Sequence, residues 1–139
     1  MANWEQLEST EDIEQIEEDF ENVEEDIEKI DQRIATIEGA ISRLSGDKEI
    51  ADTLKDNIKA AEREKEKIEQ KKQELINSIS SLEEELEEIS QANENSSLQI
   101  EFLRNLGDDV SEAETILSQR RGMITKRRIA IRNLKDKVK

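Results

Sequence analysis

The side chains that most often carry catalysis are missing from this chain: it has no His, Cys or Tyr, and no glycine-rich phosphate loop of the GxxxxGK[ST] type. What remains is carboxylate and cation, 36 Asp and Glu against 21 Lys and Arg. Glutamates on helices can hold a pair of metal ions. Such bundles need Glu-x-x-His motifs projecting inward, however, and the periodic positions that would point inward here are Ile and Leu. Asp47, Asp108 and Asp109 follow glycines without the DxDxDG spacing of a calcium loop, so capping of a helix start explains them better. The expectation is a non-enzymatic protein with no catalytic residue, no cofactor and no metal ligand.

The remaining chemistry is recognition through charge. Residues 119–139, QRRGMITKRRIAIRNLKDKVK, carry 9 bases and 1 acid, and a basic helix of this kind can neutralise phosphates. It has no aromatic residue for base stacking, and the net charge of the whole chain is −15, which repels a polyanion. Residues 1–46 carry 15 acids and 3 bases, so acidic partners for the basic helix exist within the chain. Arg127, Arg128 and Arg132 are expected opposite Glu83, Glu84, Glu87 and the acidic start of the first long helix. Nucleic-acid association through 119–139 is kept as the alternative function, together with a self-associating structural coiled coil.

These residues must be positioned by helices. There is no proline and glycine occurs only four times, so little interrupts a helix. Leu, Ile, Val and Phe are 34 of 139 residues, close to the composition of a disordered chain. Periodicity decides otherwise: from Ile13 through Ile16, Phe20, Val23 and Ile27 to Leu44 the apolar residues alternate three and four apart, as in a heptad seam. A second seam begins at Ala51 and Leu54 and reaches Ile100 and Leu103. A third runs from Val110 through Leu117, Ile124 and Ile131 to Val138. Ser9 or Thr10, Asp47, and Asp109 with Glu112 are placed to cap the three starts, and Gly46 and Gly107 to end the first two helices.

The two turns allow antiparallel pairing in which every layer matches apolar or polar seam positions. Leu44 meets Ala51, Ile30 meets Lys65, Val23 meets Lys72 and Ile13 meets Leu82, while the third helix folds back with Leu134 on Ile79 and Arg120 on Asn93. The predicted fold is all-α, an elongated antiparallel coiled-coil hairpin or three-helix bundle with a long central helix. It forms a single helical domain over 1–139, with helices over roughly 10–45, 48–106 and 109–138 and a potential break at 91–97 in the second. Lys65 and Lys72 occupy seam positions where a lysine can pack its stem and extend its ammonium to water. Trp4 and Leu7 fall outside the first seam and read as a loose tail or a short staple over Leu86 and Ile89.

One apolar group exceeds what the seams need. Leu98, Phe102 and Leu106 recur at i, i+4 and i+8 beside the second seam, and Ile116 and Met123 widen the third. This group is either a sealed end of the bundle or the surface that binds another protein. The functional reading is an acidic helical adaptor that binds a larger protein by helix–helix packing, as a chaperone, targeting factor or assembly subunit would. Homo-oligomerisation stays open. No apolar run is long enough for a membrane span, and the first residues lack a secretory leader, which fits a cytoplasmic protein and leaves open export without a cleavable signal.

Overall fold

A computed structural model describes residues 3–138 and is all-α, with no strand among these residues. It contains α1 (Trp4–Glu8), α2 (Glu11–Ser42), α3 (Lys48–Asn105) and α4 (Ser111–Lys137). Lys139, the last residue of the basic stretch, lies outside the described residues.

Each boundary has a local cause. Asn3 accepts the N–H of Gln6 and starts α1, and the Ser9 hydroxyl accepts the N–H of Glu11 at the start of α2. Glu11, Asp12 and Glu14 occupy the first turn of α2, where the helix dipole favours negative charge. The chain reverses at Gly46, whose φ of 78° lies in the left-handed region. Asp47 then accepts the N–H of Ile50 to cap α3. α3 runs unbroken for 58 residues through 91–97. Within that stretch Ser96 does not begin a new helix; its hydroxyl donates to the carbonyl of Ala92 one turn back.

The end of α3 is a Schellman motif: Gly107, at φ 96°, donates to Arg104 while Asp108 donates to Leu103. The start of α4 differs from the expected Asp109–Glu112 capping pair. Val110 takes the N-cap place without a side-chain cap, and Asp109 accepts both the N–H and the hydroxyl of Ser111. Those two bonds hold the Asp109 carboxyl below its ordinary pKa. Val110 is the first residue of the α4 seam and is buried, so the helix begins after it.

The helices pack as two compact units, Glu17–Ile76 and the remainder of the chain. Within Glu17–Ile76, α2 and α3 form an antiparallel hairpin whose buried residues are Phe20, Val23, Ile30 and Ala61. Its direction is fixed by ion pairs that ascend one helix as they descend the other: Glu24 with Lys72 at 2.7 Å, Asp31 with Lys65 at 2.6 Å, and Arg33 with Glu64 at 3.7 Å. The two seam lysines use one device repeated a heptad apart. Each stands about two-thirds buried at a seam position, as a lysine with a packed stem does, and reaches an acid of α2. The Lys65 ammonium is held above its ordinary pKa by its bond to Asp31, and the Lys72 ammonium stands 5.5 Å from the centre of the Phe20 ring.

The other unit has a denser core. Ile13 of α2, Ile79 and Leu86 of α3, and Ile124, Ile131 and Leu134 of α4 form one buried cluster, against which Trp4, Leu82, Ile89 and Val138 pack. Three helices meet here because the start of α2 and the second half of α4 fall on the same stretch of α3.

Candidate functional site

The α3–α4 pair places its charges in a repeating order. On α3, residues 83, 90, 97 and 104 are seven apart, and so are 135, 128, 121 and 114 on α4. Lys135 bonds Glu83 at 3.1 Å, Arg128 bonds Ser90 at 3.3 Å, Arg121 bonds Ser97 at 2.6 Å, and Arg104 bonds Glu114 at 3.5 Å. Arg128 also reaches Glu87 at 3.7 Å and Arg121 reaches Glu94 at 3.9 Å. One flank of the pair is thus closed by charge along its length. Each exposed pair contributes only about 0–1 kcal/mol, so the row selects register and direction more than it stabilises.

Arg127 goes elsewhere. It sits in the α4 seam with its side chain 7% exposed, donates through both terminal nitrogens to the two carboxylate oxygens of Asp12, and gives a further hydrogen bond to the Ser9 carbonyl at 3.0 Å. Those bonds hold the Asp12 carboxyl below its ordinary pKa against the opposing effect of burial. The neighbouring seam arginine, Arg120, lies 4.7 Å from the centre of the Trp4 ring. With Leu7 also buried and α1 in contact with α4, α1 is a staple on α4 and not a loose tail.

The expected grouping of Arg127, Arg128 and Arg132 with Glu83, Glu84 and Glu87 therefore resolves into separate contacts. Arg128 meets Glu87, Arg127 meets Asp12, and Glu83 is taken by Lys135; Arg132 and Glu84 enter none of these pairs. Sequence reasoning passed over Lys135, although its place in the seven-residue row with Arg121 and Arg128 marks it.

Asn93 is the seam residue without an answer. It is 3% exposed, and among the described residues neither its carboxamide oxygen nor its nitrogen has a hydrogen-bond partner. A buried polar group left in this state costs about 1–3 kcal/mol, while a single polar seam residue fixes register by penalising misaligned pairings. Replacing Asn93 with leucine should accordingly raise stability by about 1–3 kcal/mol in urea unfolding. A loss of stability instead would show that the carboxamide is satisfied.

The apolar residues singled out above separate into two sets. Leu98, Phe102 and Leu106 are 62%, 60% and 66% exposed. They line the outer face of α3 and its terminal turn, out of phase with Ile100 and Leu103 in the seam. Ile116 and Met123 stand one position before the α4 seam residues Leu117 and Ile124; Ile116 is exposed and Met123 half-buried. The continuous exposed apolar stripe is the one on α3.

Among the described residues, no group of three or more Asp and Glu is arranged to hold a metal ion, and no helix is long and apolar enough to cross a membrane. No family model, no curated protein and no solved structure matches the chain.

Proposed function

We propose that this protein is a non-enzymatic helical adaptor that offers a preformed helix face to a larger protein partner, in the manner of a chaperone, targeting factor or assembly subunit. The observation that carries the reading is the stripe of Leu98, Phe102 and Leu106, three large apolar side chains left more than half exposed on one helix face. In a chain with so few apolar residues, leaving three in water along one face is unfavourable unless something covers them. Internal pairing favours a protein partner over nucleic acid. Arg121, Arg127, Arg128 and Lys135, a large part of the basic segment, already meet Glu94, Asp12, Glu87 and Glu83, so phosphate contacts would have to displace existing bonds.

The test is a photo-crosslinking amino acid placed at Phe102 in the cells that make the protein, with Asp56 as the control position. A defined heteromeric adduct from position 102 only, lost when Leu106→Ser accompanies the crosslinker, is the expected result. The Phe102→Ser, Leu106→Ser double variant should keep its helix content and its stability within about 0.5 kcal/mol, as exposed positions do. Adducts solely between copies of the chain would point to a self-associating coiled coil, and unfolding of the double variant would show that the stripe is core.

A further inference from the structure

The apolar stripe continues a longer face of α3 that changes character along its length. Following residues three and four apart back from Leu98, the same face carries Asn95 and Glu94, then Gln91, then Glu88, Glu87 and Glu84, all exposed. The face is acidic from Glu84 to Glu88, polar in the middle and apolar from Leu98 to Leu106. At the helical rise the separation from Glu84 to Leu98 is about 21 Å, and the apolar part spans about 12 Å more. Glu87 is only partly engaged by Arg128, its side chain remaining 75% exposed. Glu84 and Glu88 enter no ion pair among the described residues.

We infer that this face, from Glu84 to Leu106, docks an amphipathic helix of a partner protein that is basic at one end and apolar at the other. The inference rests on the adaptor reading and specifies its partner. The occupant follows from charge. Glu94 and Glu101 border the apolar stripe on one side, each more than half exposed and reached by Arg121 and Arg104 only at 3.9 and 4.0 Å, and Asp108 and Asp109 lie beyond its end. A ligand with acids beside its apolar residues is therefore repelled, whereas one with lysines or arginines is drawn in. A second copy laid parallel on this face would set Glu84, Glu87 and Glu88 against themselves, and one laid antiparallel along its full length would set those acids against Phe102 and Leu106. A helix pairing with one face through residues three and four apart needs no groove, only matching periodicity.

Three fluorescein-labelled synthetic helices of about 22 residues, long enough to span the face, provide the test by fluorescence anisotropy. The first has leucines at i, i+4 and i+8 near one end and lysines on the same face near the other. The second replaces the lysines with glutamates, and the third keeps the composition of the first but scatters its leucines around the helix. The full chain should bind the first at least about tenfold more tightly than either of the others, with the advantage shrinking at high salt. Glu84→Gln, Glu87→Gln and Glu88→Gln together should weaken it about tenfold, and Phe102→Ser should abolish it, both variants retaining wild-type helix content. Equal binding of the first and second helices, both lost in Phe102→Ser, would overturn the charge assignment and leave the apolar docking face standing. Binding of neither, with Phe102→Ser indistinguishable from wild type, would remove the docking face itself. A concentration-dependent dimer of the chain alone, abolished by Phe102→Ser in sedimentation, would give the face to a second copy and overturn the inference as well.

Discussion

Ile131→Ala should cost about 3–4 kcal/mol, whereas Ile34→Ala should cost about 1–2 kcal/mol, although both truncate an isoleucine in a heptad seam. Ile131 is 2% exposed within a cluster drawn from α2, α3 and α4. Its truncation removes apolar area already taken from water and leaves a cavity that three helices cannot readily close. Ile34 is only partly buried, in a two-helix hairpin where water reaches the seam from both sides. Truncation there exposes less new surface and opens no closed cavity. Urea unfolding can separate the two because the chain has one tryptophan. Trp4 packs against the Ile131 cluster, so its emission follows that unit, while far-UV circular dichroism follows all the helices. The expected result is a large shift of the tryptophan transition in Ile131→Ala and a small one in Ile34→Ala. Equal losses would mean that stability is spread evenly along the seams.

The same contrast explains how much of the molecule the sequence discloses. Strict three-and-four spacing over many turns, with no proline, leaves little choice but long helices. Gly46, Asp47 and Gly107 mark the turns because a left-handed residue and a side-chain cap are needed where they stand. Register is legible wherever charges repeat with the heptad, as in Glu24 with Lys72 and Asp31 with Lys65. Local signals fail where three segments converge. α1 is five residues long, too short to show a period. Its docking depends on Arg120 and on the burial of Leu7, which nothing near Trp4 announces. Arg127 is grouped in sequence with Arg128 and Arg132 against both the α3 acids and the acidic start of α2; its seam position on α4 gives it to Asp12 and not to the α3 acids. The out-of-phase Leu98, Phe102 and Leu106 are legible as surplus.

Removing Asp12 and removing Arg127 should then have opposite consequences. Asp12→Ala leaves a guanidinium that is nearly buried with the Ser9 carbonyl as its remaining partner. Because Asp12 itself is about half exposed, water can partly replace it. The expected loss is therefore about 2–3 kcal/mol, below that of a fully enclosed pair. Arg127→Leu places an apolar side chain in the seam between Ile124 and Ile131 and frees Asp12 to face water. Apolar replacement of a buried ion is often neutral or stabilising by about 1–3 kcal/mol, so this variant should be at least as stable as the parent. The pH dependence provides an independent check. The native pKa of Asp12 is depressed, so its contribution is present above the ordinary carboxylate value of 3.8 and is lost as pH falls through the lower native value. The gap between the parent and Asp12→Ala should hold steady near neutrality and close progressively below about pH 4. Paired urea titrations from pH 7 to about pH 2 would measure it. If Arg127→Leu proves as damaging as Asp12→Ala, the ion pair is a net source of stability, and the register that places α1 and the start of α2 on α4 depends on it directly.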